Sequence, residues 1–394
     1  MNSKPKGCAR IFLTALLVLT GLCLVLAAAS VISNRSLPTQ STVVNQLSPV
    51  DKSRLAEADH LRQTLGDSVL PGWSQANIPT VLYNEENLFL VGTADPTEGW
   101  EAVTSGKQLG TAWQRVPDDD FYSQPYFMQP IPPSGETTQA FTVRIGEDWA
   151  SSMPTLDWMK IGLVNSMRED VPGPLKPIVP FRVVTALFVP NSDTHITAVL
   201  HEAAHAYQGI LAPERLAAAE NANLQNEGHY PWEDEALIEN WQTELDILRD
   251  AMRAGTDEEK IQLARAFLDQ RAARRAAANL PANLIEYERH REWVEGIAKY
   301  AERLIYIQAA NTEEYSPLPE MQQDPEFQDY RGAQRKWDQE VDQISRMASD
   351  PGDGRFYYSG FAQAALLDKL SPGWKDRLFE DDVWLEDLLS EAVQ

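Results

Sequence analysis

The spacing of apolar and polar positions divides the chain into unlike stretches. From Ile11 to Ile32 the residues are uncharged and apolar, broken only by small or hydroxyl side chains, after the cations Lys4, Lys6 and Arg10. As a helix these 22 residues rise about 33 Å, enough to cross a bilayer core of about 30 Å. The run reads as a secretory signal with a candidate cleavage site at Ala27-Ala28-Ala29 or, because it exceeds the usual signal core, as a signal anchor. Basic residues ahead of it would keep the short tail in the cytoplasm and put the body outside. Ser33 to Pro49, rich in Ser, Thr, Asn and Gln, reads as a linker.

Beyond the linker the periods are mixed. Val81-Leu82-Tyr83 and Leu88-Phe89-Leu90-Val91 flank Asn84-Glu85-Glu86-Asn87 and predict a hairpin. Ala140–Ile145 and Phe181–Val189 predict strands, whereas Leu156, Met159, Leu163 and Met167 form one stripe of a helix over Thr155–Arg168. After Pro190, Ser192 or Asp193 offers an N-cap for a helix that Pro213 would stop. From about Trp232 three helical stretches follow, near 233–254, 257–279 and 283–311. The fold class read from this pattern is α+β. A leader over 1–32 and a linker over 33–50 precede a mixed N-terminal region, 51–190, and a mainly α-helical region, 191–394.

Composition sharpens the picture. With 43% hydrophobic residues in 394 the chain can bury a sizeable core and is not disordered. Both cysteines, Cys8 and Cys23, lie in the leader, so the exported part has neither a disulfide nor a thiol for catalysis. Leu22 stands before Cys23 where a lipoprotein acylation site would want a small residue. Residues 1–30 carry three positive charges and no negative one, so the rest stands at −27 where the whole chain stands at −24. Such a field repels phosphate backbones and argues against a nucleic-acid partner.

The chemistry concentrates at His201-Glu202-Ala203-Ala204-His205, an H-E-x-x-H on a predicted helix. One turn separates the histidines, so both imidazoles leave the same face and can take two positions of a tetrahedral zinc. Glu202 follows the first of them, where in zinc peptidases a carboxylate accepts a proton from the bound water and later gives it to the leaving amine. A third ligand has to come from downstream, and several acidic residues between 227 and 295 are available. On a helical wheel Glu244 falls inside the apolar arc of Leu237, Trp241, Leu245, Leu248 and Ala251. Glu295 sits just outside the arc of Val294, Ile297, Ala298, Ala301 and Leu304, so periodicity by itself favours Glu244.

Trp293-Val294-Glu295-Gly296-Ile297-Ala298-Lys299-Tyr300 resembles the W-x-x-E-G-x-A-x-Y segment of gluzincin metallopeptidases, including aminopeptidase N-like enzymes. Tyr357-Tyr358-Ser359-Gly360 resembles their Y-x-x-G. The resemblance, which covers about Phe181 to Trp374, implies a zincin-like fold, with zinc on His201, His205 and Glu295. It further implies Glu202 as general base and acid and Tyr357 as oxyanion donor, with Tyr358 one residue away as its competitor. The chain departs from the family in four ways. The tryptophan stands two residues before Glu295, where the family has it three before, and the gap from His205 is longer. No G-x-M-E-N segment is present to anchor a free amine, and Lys299 stands where thermolysin-like enzymes carry a histidine-orienting aspartate.

These readings lead to an exported, membrane-anchored zinc metallopeptidase acting on peptides or proteins, or a secreted one if the leader is cleaved. The alternatives are a zinc-binding or metal-free envelope scaffold and a hydrolase of a non-peptide amide. The remaining histidines have plainer readings: His195 at the first turn or surface, His229 and His290 solvated, and His60 in a charged helix. Arg271 to Ala278 reads as a solvent-facing helical stretch, and the eleven tryptophans as core.

Overall fold

Caps and prolines set where the elements begin and end. In a computed structural model, which describes residues 6–103, 105–132, 143–188, 191–313 and 315–394, the chain is mixed α/β with helices predominating. In chain order the helices are α1 (Lys6–Asn34), α2 (Pro49–Val69), α3 (Leu156–Asp170), α4 (Phe181–Phe188), α5 (Ser192–Leu211), α6 (Pro213–Asn226) and α7 (Glu235–Arg253). They continue with α8 (Asp257–Ala277), α9 (Ala282–Arg291), α10 (Ile297–Asn311), α11 (Ala333–Ile344), α12 (Gly354–Leu370) and α13 (Leu385–Ala392). A π turn, Glu292–Gly296, joins α9 to α10.

The chain forms two compact units, one of Met1–Val44 with Thr155–Pro190, the other of Asn45–Pro154 with Asn191–Gln394. The first holds the apolar helix α1 with α3 and α4. Here two expectations are corrected. Phe181–Val189 is not a strand: its described part is helix α4, in which Phe181 and Thr185 are buried while Arg182 and Val183 between them are exposed. That is the period of a helix, and β-branched content alone could not reveal it. In α3 the buried residues are Leu156, Ile161 and Val164, while Met159, Leu163 and Met167 are only half-buried.

The second unit carries the sheet. Its strands are β1 (Thr80–Tyr83), β2 (Asn87–Val91), β3 (Trp100–Ala102), β4 (Lys107–Leu109), β5 (Gln114–Arg115), β6 (Phe127–Pro130), β7 (Val143–Ile145) and β8 (Asp148–Pro154). They lie in the order β4-β3-β7-β8-β1-β2-β6-β5. The predicted hairpin is β1–β2, paired from Thr80↔Val91 to Tyr83↔Leu88. Asn84 closes it by accepting from the backbone N–H groups of Glu86 and Asn87 at 3.0 and 2.9 Å. The strand predicted at Ala140–Ile145 appears as β7, its first three residues lying outside the described ones. β8 runs parallel to β1, so that Tyr83 and Pro154 end side by side.

Asn191 caps α5, accepting from the Thr194 N–H at 3.0 Å, one residue before the expected cap at Ser192 or Asp193. Asp193 instead turns inward and accepts from the N–H groups of Gln328 and Tyr330 at 2.8 and 3.1 Å, fixing the first turn. What packs on α5 is β8, together with α2 and α10. At Gly209 the helix comes so close to β8 that a Cβ would overlap the Trp149 ring.

The arginines of α8 call for a further correction. Arg271 and Arg274 are buried, and both donate to Glu244, through Nε at 2.9 and 2.6 Å respectively. Arg271 also reaches Glu292, Glu386 and Ser359, while Arg274 forks onto Glu288 at 2.6 and 3.0 Å and lies over the Trp241 ring. Their partners come from α7, α9, the π turn, α12 and α13, none of which a wheel of α8 could show. His290 is likewise buried and stacks edge-on against Trp384, not solvated.

Candidate metal centre

His201 and His205 stand one turn apart on α5 and point their rings to one place. Their Nε2 atoms are 3.2 Å apart. Glu295 Oε2 lies 3.6 Å from the first and 3.4 Å from the second. A tetrahedral ion with bonds of about 2.0–2.1 Å holds its ligand atoms about 3.3–3.4 Å apart. All three residues are buried, and Glu295 Oε2 has no hydrogen-bond partner among the described residues. A buried carboxylate oxygen left bare between two imidazoles fits a cation, and the three form a group able to hold a metal ion.

The neighbours fix each of the three. Glu295 gives its other oxygen to Arg291 Nη2 at 2.7 Å, and that nitrogen also reaches Asp353 at 2.6 Å, just ahead of α12. Burial opposes ionisation of Glu295, but the Arg291 charge and then the histidines outweigh it and hold the carboxyl well below its usual range. Gln208 Nε2 donates to the carbonyls of Trp293 and Val294 at 2.7 and 3.3 Å, which turns its Oε1 toward His205 Nδ1 at 3.0 Å. His205 must therefore carry its proton on Nδ1 and present a lone pair at Nε2. His201 Nδ1 faces Glu302 Oε2 at 3.6 Å, and Glu302 Oε1 is held by Arg303 at 2.7 Å. Burial works to lower the His201 pKa, yet Glu295 and Glu302 prevail and raise it to about 10, a measure of how strongly this pocket favours positive charge.

Glu202 lies buried beside the histidines. Burial raises its proton affinity against the pull of His201 and His205. Tyr83, at the end of β1, is pushed up to about 12 by burial and then by the Glu202 charge, so its hydroxyl keeps its proton there. The Tyr357 ring stacks parallel to His201 with centroids 6.0 Å apart. Its hydroxyl is driven well above the usual range by burial and then by Glu295, and remains a donor. Tyr358 points elsewhere, donating to Glu340 at 2.5 Å.

Of the candidates named from the sequence, His201, Glu202, His205, Glu295 and Tyr357 therefore meet in one place. Glu244 does not: both of its oxygens are taken by Arg271 and Arg274. The wheel misjudged Glu295 because the π turn shifts the phase of the helix at that residue and α10 is enclosed on several sides, leaving Glu295 only 2% exposed. Sequence reasoning missed Gln208, Arg291, Glu302 and Tyr83. The first three stand at helical spacings from ligands, three after His205, four before Glu295 and seven after Glu295. Tyr83 and His195, whose Nε2 lies 2.9 Å from the Pro154 carbonyl, depend on β-strands packing near α5 and leave no such mark. The chain matches no protein-family model, no curated protein and no solved structure.

Proposed function

We propose that the protein is a zinc-dependent peptidase anchored in a membrane by α1, its body outside the cytoplasm. The observation that carries this reading is the convergence of three buried ligand atoms at tetrahedral spacing with Glu202 directly alongside. Closed structural zinc sites use four protein ligands, whereas catalytic ones use three and keep a position open. Among the described residues the group has three. When bound, zinc supplies Lewis acidity toward a carbonyl and brings the pKa of a water near neutrality. Glu202, with its proton affinity raised by burial, takes up a proton and returns it to the leaving amine. Tyr357 keeps its own proton and donates a hydrogen bond to the carbonyl oxygen as charge develops there. Peptides or proteins are the substrates this chemistry serves.

The test is elemental analysis of the dialysed full-length protein, paired with a peptide-library assay. One zinc per chain is expected, retained in Glu202→Gln while hydrolysis falls by about 10²–10⁴. A folded protein that takes up no zinc on loading, or a Glu202→Gln variant as active as the parent, would overturn the reading.

A further inference from the structure

Beyond α1, the smaller unit leaves a cluster of apolar side chains exposed. Leu175, Ile178 and Val183 are 47%, 44% and 64% exposed, within a segment, Val171 to Val184, that contains four prolines. Position in depth is set by α1. Its apolar part, Phe12–Asn34, has 23 residues and rises about 34 Å, so a helix crossing a core of about 30 Å reaches the lipid–water boundary within its last turn. Asn34 is its last residue. From there the Asn34 side-chain nitrogen donates to the carbonyls of Lys176, Pro177 and Val179 at 3.5, 3.1 and 2.8 Å. One amide thus ties the apolar segment to the point where α1 leaves the bilayer, and α4 packs on the same helix.

The backbone suits lipid as well as the side chains do. Leu175, Lys176, Ile178, Val179 and Phe181 all donate their N–H groups to carbonyls between Pro172 and Val179, and Pro177 and Pro180 have no N–H to satisfy. From residue 175 to 181 no backbone donor therefore needs water, the condition a lipid-facing segment must meet. Lys176, Arg182 and Arg35 flank the apolar side chains, where phospholipid headgroups carry negative charge. We infer that residues 175–183 lie in the interface of the bilayer that α1 enters, with Leu175, Ile178 and Val183 among the acyl chains. The inference rests on α1 being retained as an anchor, so its test must report on that separately.

Native Cys23, exposed in the middle of α1, provides that report. The full chain is reconstituted into phosphatidylcholine–phosphatidylglycerol vesicles with an environment-sensitive fluorophore on one cysteine at a time. The cysteine is either Cys23 in a Cys8→Ser background or Leu175→Cys, Ile178→Cys, Val183→Cys or the exposed control Glu258→Cys with both native cysteines replaced by Ser. Labels at 175, 178 and 183 should emit to the blue of the control and be quenched most by nitroxides near the headgroup, while the Cys23 label is quenched most by nitroxides deep in the chain. Water-like emission at all three positions with Cys23 still quenched would overturn the docking and leave the anchor standing. Blue-shifted labels that lipid nitroxides fail to quench would assign the surface to a protein partner and equally overturn it. An unquenched Cys23 label would remove the anchor and the inference with it.

Discussion

Glu302 is the residue that a local pattern search passes over. Lys299 stands four positions after Glu295, where thermolysin-like enzymes carry a histidine-orienting carboxylate, and it pairs instead with Glu340 at 3.0 Å. Glu302, a further three residues on, faces His201 Nδ1. Glu302→Gln should therefore weaken zinc affinity by about 10–100-fold, measured by chelator competition, with the fold intact. Glu244 makes the opposite case. Removing it in Glu244→Ala leaves two buried guanidiniums short of a partner and should cost roughly 3 kcal/mol in a denaturant titration, near the lower end for a broken buried pair because both arginines keep other carboxylates. Zinc content should not change in that variant, whereas Glu295→Ala should lose the metal.

At the scale of elements, the centre depends on where α12 crosses the π turn. A Cβ on Gly360 would stand 2.5 Å from the Glu292 carbonyl oxygen and 2.8 Å from Gly296 Cα, and one on Gly296 would fall on Gly360 Cα. The two backbones touch because neither residue has a side chain. This contact brings Tyr357, three residues before Gly360, beside the site that Glu295, one before Gly296, helps to form. It gives a physical reason for the glycines in both motifs. Gly360→Ala should destabilise the protein by about 1–3 kcal/mol through overpacking and also lower zinc affinity, because relief requires the helix with Tyr357 to move away from Glu295. Denaturant midpoints and chelator competition on the same samples check both halves. A loss of stability with unchanged affinity would show that the crossing supports the fold alone.

Across the whole molecule, buried charge makes stability depend on pH. Burial, then the charges of Arg215 and Arg291, lowers the His290 pKa from 6.5 to about 4. Between those values the unfolded chain binds a proton that the folded chain refuses, so stability is fully present above pH 6.5 and falls as pH drops toward 4. At about 1.4 kcal/mol per unit the full loss comes to about 3.5 kcal/mol, and well below pH 4 it stays constant. His290→Gln should flatten this part of the profile, seen as a smaller drop in urea midpoint between pH 6.5 and 4.5 than in the parent. The hairpin, the helical second half and the helix with H-E-x-x-H were legible in the sequence because each follows from short-range spacing. Phe181–Phe188 was not, since a run of β-branched and aromatic residues fits either period until its neighbours choose which side is buried. The sequence by itself determined the pair His201 and His205, the carboxylate between them and the apolar run at the N-terminus, all properties of residues within a turn or a span of one another. Only the tertiary structure brought Glu295 and Tyr357, and not Glu244 or Tyr358, to the two histidines, and supplied the partners of Arg271 and Arg274. Those choices turn on which helices meet: guanidiniums take both oxygens of Glu244, whereas Arg291 takes one oxygen of Glu295 and leaves the other facing two imidazoles.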